Sequence, residues 1–140
     1  MKTLTIIDTF GFFFRLYYAM SGLKNKDGKP SGMIHGFANF IANLKQDFHS
    51  DYIVFALDSS GKTFRNDIDP NYKANRSEAP KELKEQLPIC IEMIEKMGLC
   101  SLRVEGYEAD DIIASFIKNN SQDDLQIKVV THDKDLYQLI

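Results

Sequence analysis

The apolar residues of this chain form short continuous runs that alternate with stretches of helical spacing. Two of the runs are mostly apolar and each stops at an aspartate, Asp8 or Asp58. Runs of this kind are typical of parallel strands that are covered on both faces. Strands are predicted over residues 4–7, 52–57, 100–104 and 125–131.

Apolar residues at helical spacing lie between these strands. Helices are predicted over 33–48, over 83–97 and around 112–117, and a further helix is predicted to begin at Asp133. Pro88 predicts a bend in the second helix, because proline lacks a backbone donor. Strands that alternate with helices across short connections predict a three-layer α/β fold, with a mostly parallel central sheet and helices on both faces.

Residues 59–80 interrupt this pattern and form a long excursion that contains two prolines and Gly61. Excursions of this length within a compact domain are usually functional or disordered. Residues 62–84 carry six basic and four acidic side chains, although the chain as a whole has a net charge of −3. A solvated surface would explain this local positive charge, and so would a binding site for a polyanion.

Length and composition indicate one soluble domain. The chain has 140 residues, of which 44% are hydrophobic and 26% charged, and it contains no apolar run long enough to span a membrane. Cys90 and Cys100 have apolar neighbours, so we expect two buried free thiols and a cytoplasmic protein. The last helical pattern reaches Ile140 without a cap, and this predicts that the chain is part of a longer protein.

Carboxylates follow the predicted strands. Those at or just beyond a strand end are Asp8, Asp58, Glu108, Asp110, Asp111, Asp133 and Asp135. Taken one at a time, Asp8 and Asp133 are explained as helix caps, and the residues at 108–111 as a helix start. In a parallel sheet, however, these strand ends share one edge, where so many negative charges require a cation.

The ligand types indicate which cation this would be. Oxygen ligands favour Mg²⁺ or Mn²⁺, and no cysteine or histidine pair has zinc spacing. The three histidines, His35, His49 and His132, are interpreted as packing or surface residues. The number of carboxylates favours two ions, which in proteins lie ~3.5–4 Å apart and assist phosphoryl displacement.

The basic excursion indicates the substrate. Lys62, Arg65, Lys73 and Arg76 are candidate phosphate contacts, and Phe64 and Tyr72 are candidates for stacking on bases. Phosphate contacts above a metal site favour a nuclease.

Seven short segments together resemble the 5′-nuclease domain at the N-terminus of bacterial DNA polymerase I, within the flap endonuclease family of PIN-like fold. They are IID at 6–8, FRLY at 14–17, FALD at 55–58, GKTFR at 61–65, YKANR at 72–76, GYEADD at 106–111 and THDKD at 131–135. The resemblance covers essentially the whole chain, but that family domain is about twice as long. Its second half, which carries two further metal-site aspartates and a helix-hairpin-helix clamp, has no counterpart here.

The resemblance implies a two-metal-ion 5′-3′ exonuclease or flap endonuclease acting on 5′ ends, flaps and nicked duplex DNA. It implies that the seven carboxylates bind or orient two Mg²⁺ ions, with Mn²⁺ as a substitute. It places Lys73 and Arg76 as catalytic residues in an arch formed by 59–80, and Arg15, Lys62, Arg65 and Tyr72 at the DNA. The resemblance is also compatible with a covalently linked polymerase domain beyond residue 140.

The chain departs from the family pattern at two places near the acids. Thr9 and Phe10 follow Asp8 where Gly-Ser is usual, and His132 replaces a common glycine before Asp133. Two other functions remain open. A PIN-type ribonuclease would use a similar acidic cluster, and a chain with half of the family domain would bind DNA without cleaving it.

Overall fold

The computed structural model describes residues 1–59, 64–69, 71, 79–120, 124–134 and 136. The strands are β1 (Lys2–Asp8), β2 (Tyr52–Leu57), β3 (Cys100–Arg103) and β4 (Leu125–Val130). The helices are α1 (Thr9–Ala19), α2 (Gly32–Ala42), α3 (Leu44–Phe48), α4 (Phe64–Ile68), α5 (Lys81–Lys96) and α6 (Ala109–Asn120).

The four strands form one parallel sheet in the order β3-β2-β1-β4. In the register, Asp8 of β1 lies opposite Ala56 of β2, and Ile7 lies opposite Val130 of β4. The chain therefore builds outward from β1 through β2 to β3, and then returns to the other side of β1. This arrangement confirms the predicted α/β fold with a parallel sheet.

Both faces of the sheet are buried, which explains the continuous apolar runs. Along β2, Phe55 and Leu57 pack into a core with α1, α2, α3 and α5, whereas Val54 and Ala56 face the opposite side. That second core contains Ile113 of α6. Successive side chains of a strand point to opposite faces, so a strand that is covered twice is apolar at every position. The two cores confirm the prediction of helices on both faces.

Helix α1 is absent from the sequence-based prediction. Its sequence, TFGFFFRLYYA, is apolar on most sides, has no acidic first turn or basic last turn, and contains aromatic residues of only moderate helix propensity. Tertiary packing stabilises the helix instead. Phe13 is fully buried, and its ring meets the Phe37 ring edge to face at 4.9 Å between centroids.

The predicted helix over 33–48 is wrong in one respect, because it is divided into α2 and α3 at Asn43. The Asn43 side-chain amide donates to the carbonyl oxygen of Asn39 at 2.9 Å. Such a bond offers the backbone an alternative to helix continuation. The predicted helix over 83–97 corresponds to α5, which continues through Pro88.

Helices α1 and α2 approach each other closely at two glycines. A Cβ atom on Gly32 would lie 2.1 Å from the Met20 carbonyl oxygen, and one on Gly36 would lie 2.8 Å from Leu16 Cδ2. A buried glutamine completes this corner: Gln86 Oε1 accepts the backbone N–H groups of Met33 and Ile34, at 2.9 and 3.3 Å. The α1–α2 corner thus has little room for added atoms.

The prediction of two buried thiols is correct for Cys90 and wrong for Cys100. Cys100 is exposed because it begins β3, which is an edge strand of the sheet. Cys90 lies in the core, where burial raises the pKa of its thiol to about 12. None of the helices in the described part of the chain has the length and apolar character that a membrane crossing requires.

Replacement of Gly32 by alanine is expected to destabilise the protein by about 2 kcal/mol or more, because a backbone oxygen occupies the added atom's position. Gly36→Ala is the matched control. It meets only the flexible side-chain ends of Leu16 and Met20, and it gains about 0.5–1 kcal/mol of helix propensity. Urea unfolding of both variants measures the difference, and equal losses would contradict the assigned contact.

The two cysteines are expected to react differently with a chromogenic disulfide reagent. Cys100 should react in the native protein, whereas Cys90 should react only after unfolding, since its thiolate is suppressed by burial. Cys100→Ser and Cys90→Ser variants assign the two phases. Rapid reaction of the Cys100→Ser variant under native conditions would disagree with the buried position of Cys90.

Candidate metal centre

The carboxyl ends of β1, β2 and β4 bring aspartates from distant parts of the sequence to one edge of the sheet. Asp8 is the last residue of β1, Asp58 directly follows β2, and Asp133 follows β4 by three residues. The chain leaves β1 toward β2 on one side and returns to β4 on the other. Ligands of open α/β sheets bind in the crevice that forms where the strand order reverses in this way.

A tight turn after β3 delivers the remaining acids to the same edge. The Tyr107 N–H donates to the Val104 carbonyl at 3.1 Å, and Gly106 within the turn has φ +82°, a conformation that favours glycine. The Tyr107 carbonyl in turn accepts the Ser59 N–H at 3.2 Å, which joins the turn to the end of β2. Glu108 and the first turn of α6 therefore lie beside Asp58.

Carboxylates also accept the free backbone donors at the start of α6. Asp58 Oδ1 accepts the Ala109 N–H at 2.6 Å, and Asp111 Oδ2 accepts the Glu108 N–H at 3.0 Å. The Asp111 N–H donates to Asp110 Oδ1 at 2.9 Å. One oxygen of Asp111 thus has the helix-start role that the sequence predicts for residues 108–111. The helix dipole favours all of these negative groups.

Asp8 occupies the N-cap position of α1, but its side chain does not cap the helix. The helix start has no side-chain capping bond from Asp8, and Asp8 Oδ2 instead accepts the Thr131 hydroxyl at 2.8 Å. Thr131 Oγ1 also accepts the Asp133 N–H at 2.9 Å. A single hydroxyl therefore connects the end of β1 to the loop that carries Asp133.

The pKa of Asp8 is raised above its ordinary value. The largest cause is burial, which removes water from the charged form, and the negative charges of Asp58, Asp133 and Asp110 add to it. The hydrogen bond from Thr131 acts in the opposite direction. Burial and the nearby negative charges thus both favour the protonated form of Asp8 in the absence of a cation.

These side chains surround an open cavity of about 520 Å³. Its acidic lining residues are Asp8, Asp58, Glu108, Asp110 and Asp133. Phe10 and Phe14 of α1 and His132 complete the wall. Hard divalent cations prefer a donor set of carboxylate oxygens, so the residues at this cavity fit such an ion.

A second grouping lies partly outside the cavity. Glu108, Asp110 and Asp111 each offer an oxygen, and these oxygens lie within 4.8 Å of one another. Asp111 also lines a separate, mostly apolar cavity of about 510 Å³ between β3 and α6. The structure thus brings five of the seven predicted carboxylates to one cavity and places Asp111 at its margin.

Several of the predicted site residues lie outside the described residues. These are Lys62, Tyr72, Lys73, Arg76 and Asp135, together with the side chains of Phe64 and Arg65. Within the predicted arch over 59–80, the structure describes the short helix α4 and a few flanking residues. The arch and the roles of these residues stay predictions.

Arg15 and His132 form a pair beside the acids. The Arg15 Nη1 atom lies 3.3 Å from His132 Nδ1, and the His132 ring lies 4.8 Å from the Phe12 ring. His132, for which the sequence predicts a packing or surface role, lies in the cavity wall. In the sequence, only its position directly before Asp133 indicates that His132 lies at the candidate site.

Comparison with known proteins adds relatives that match almost the whole chain. A family model described as 5′-3′ exonuclease, N-terminal resolvase-like domain, matches residues 3–140. A 5′-3′ exonuclease of Aquifex aeolicus is 37% identical over 140 residues, which are 100% of this chain and 48% of that protein. A thermostable DNA polymerase I of Thermus aquaticus is 34% identical over 96% of this chain and 16% of its own length.

Solved structures share the fold. A T5 5′-exonuclease with bound zinc ions superposes with a TM-score of 0.68 at 21% identity, covering 99% of this chain and 52% of that chain. The T5 D15 flap endonuclease, in a complex with DNA and metal ions, gives a TM-score of 0.67 at 22% identity over 96% of this chain and 50% of that one.

The chain thus spans about half the length of the 5′-3′ exonucleases that it matches. The family model and the relatives confirm the resemblance drawn from the seven short segments. On these grounds the chain belongs to the family of the 5′-3′ exonuclease N-terminal, resolvase-like domain.

Proposed function

We propose that this protein hydrolyses DNA phosphodiester bonds as a 5′-3′ exonuclease or flap endonuclease that depends on a divalent cation. The observation that carries the proposal is the convergence of carboxylates from β1, β2, the start of α6 and the loop after β4 on one cavity. Membership of the exonuclease family supports it. So do the names of its relatives, which include 5′-3′ exonuclease and DNA polymerase I.

The proposed cations are two Mg²⁺ ions, with Mn²⁺ as a substitute. The proposed metal-binding or metal-orienting residues are Asp8, Asp58, Glu108, Asp110, Asp111, Asp133 and Asp135. When bound, divalent cations would lower the pKa of a water molecule and offset negative charge on the phosphate. The raised pKa of Asp8 supports the fit, because burial and the neighbouring negative charges raise it and a cation would favour the charged form.

The protein's own residues divide the remaining tasks. Asp58 would be held in place by its bond to the Ala109 N–H, and Asp8 by its bond to the Thr131 hydroxyl. Lys73 and Arg76 are proposed to offset charge that develops on the phosphate. Arg15, Lys62, Arg65 and Tyr72 are proposed to contact the DNA, whose backbone the acidic cavity by itself would repel.

A second candidate function concerns the 140-residue chain by itself. Because the matching exonucleases are about twice as long, the chain alone would bind DNA without cleaving it efficiently. A protein in which a polymerase domain follows the nuclease domain is also compatible with the relatives that are named DNA polymerase I.

Asp110→Asn is expected to reduce Mg²⁺-dependent cleavage of a 5′-flap DNA by about 100-fold or more, because a ligand contributing several kcal/mol is lost. The folded state should be retained, since Asp110 lies in the first turn of α6 and outside both hydrophobic cores. Cleavage rates and circular dichroism measure both. Full Mg²⁺-dependent activity in the variant would refute the assignment.

Matched DNA and RNA flaps distinguish the proposed activity from that of a PIN-type ribonuclease. We expect cleavage of the DNA flap and little cleavage of the RNA flap. The reverse preference would favour the ribonuclease. DNA binding without cleavage of either flap, with metal present, would favour the second candidate function.

Asp8→Asn is expected to raise the thermal stability of the metal-free protein near neutral pH. The pKa of Asp8 is raised in the folded state, so folding of the wild type is favoured at pH values below that pKa. The free energy of unfolding should fall as the pH rises through it. The variant lacks this titration, and thermal melts at several pH values in a chelator measure the effect.

In Mn²⁺ the wild type should be thermally more stable than Asp8→Asn, the reverse of their order without metal. At about one hundred times its dissociation constant, a bound ion stabilises the folded state by about 2.7 kcal/mol, and Asp8→Asn should lose most of that gain. Asp27→Asn, at an exposed aspartate away from the cavity, is the control and should behave as the wild type. Equal stabilisation of all three proteins would show that Asp8 is not part of the ion site.

A further inference from the structure

His132 occupies a defined position between the acidic cavity and Arg15. The hydroxyl of its neighbour Thr131 donates to Asp8 and accepts the Asp133 N–H, so the backbone at His132 is anchored at the cavity edge. The imidazole lies against the Phe12 ring, 4.8 Å away, and Phe12 packs against the Phe40 ring at 4.9 Å. The ring therefore has a firm support on α1 and α2.

The contact between His132 and Arg15 fixes the state of the imidazole. A guanidinium has only donor N–H groups, so His132 Nδ1 must carry the lone pair that accepts from Arg15 Nη1 at 3.3 Å. The proton of the neutral ring then resides on Nε2. This tautomer follows from the chemistry of the partner.

The described partner of the Arg15 guanidinium is an imidazole, not a carboxylate. Within the described part of the chain, its guanidinium forms no ion pair with a carboxylate and binds the neutral imidazole of His132 instead. A guanidinium is drawn strongly to carboxylates, where it would form bidentate bonds. Contact with His132 keeps the positive charge unneutralised, and it uses one of the five N–H groups of the guanidinium.

We propose that His132 is a positioning residue that holds Arg15 at the rim of the acidic cavity, ready to bind a DNA backbone phosphate. The inference rests on the proposed function, which assigns Arg15 to DNA. It adds a role for the Arg15–His132 contact, which holds the guanidinium against a residue of the cavity wall. The imidazole acts through Arg15, and neither DNA nor a cation need touch it.

The decisive variant is His132→Phe, which keeps an aromatic ring for Phe12 and removes the acceptor. In Ca²⁺ or chelator, where cleavage does not complicate the measurement, a 5′-flap DNA should bind about fivefold to tenfold more weakly than to the wild type. The Arg15→Ala variant should show a loss of similar size. The double variant should bind no more weakly than Arg15→Ala, because His132 acts only through Arg15.

Two further measurements separate positioning from a structural role. His132→Gln restores an acceptor and should recover much of the lost affinity, while a merely structural defect would not be rescued by it. The loss in His132→Phe should appear in KM, with kcat and Mn²⁺ affinity close to wild type, because the metal ligands are unchanged. His35→Phe is the control, since His35 is an exposed histidine of α2 and should bind DNA as the wild type does.

The outcomes distinguish the two hypotheses. If wild type binds and cleaves flap DNA and Arg15→Ala is impaired, but His132→Phe matches the wild type, the positioning role is overturned and the proposed function stands. Additive losses in the double variant would overturn the role in the same way. If the wild type neither binds nor cleaves DNA with Mg²⁺ present, the proposed function fails and this inference fails with it.

Discussion

Carboxylates that are close together at one edge of the sheet repel one another, and the candidate site depends on how this repulsion is offset. Asp8 ends a strand that is buried on both faces, and burial together with three other aspartates raises its pKa. Hydrogen bonds from the described residues offset part of the unfavourable energy of these buried and neighbouring charges. Thr131 donates to Asp8, and the Ala109 N–H donates to Asp58. A cavity lined by carboxylate oxygens also has the type of donor that hard divalent cations prefer.

The sheet order places the acids in one cavity, and the two cores make that order rigid. Each strand contributes alternate side chains to a core on either face, so a shift of register by one residue would exchange the two sets. The fixed register sets Asp8 against Ala56 and sets Ile7 against Val130. The next residue after Val130 is Thr131, which for this reason can reach Asp8. Stability of the core and geometry of the cavity thus depend on the same pairing of strands.

Helix α1 connects the core to the cavity. On one side Phe13 is buried against Phe37, and on another Phe12 supports His132. Arg15 extends from the same helix toward His132. Through His132, which lines the acidic cavity, Arg15 is thus connected to the wall of the candidate site. The flat aromatic surfaces of α1 are thus structural on one side and border the candidate site on the other.

The sequence by itself determined the class of fold and the candidate acidic residues, because apolar periodicity and carboxylates at strand ends are local properties. The family followed from the resemblance of seven short segments. The sequence did not reveal α1, whose helix depends on aromatic packing against α2, nor the break at Asn43, nor the exposure of Cys100 on an edge strand. Only the tertiary structure decided which acids meet. Asp8 turned out to bond to Thr131 across 123 residues rather than to cap its own helix. It also decided that His132 faces Arg15, since contacts between residues far apart in sequence depend on strand order and register, which no local pattern encodes.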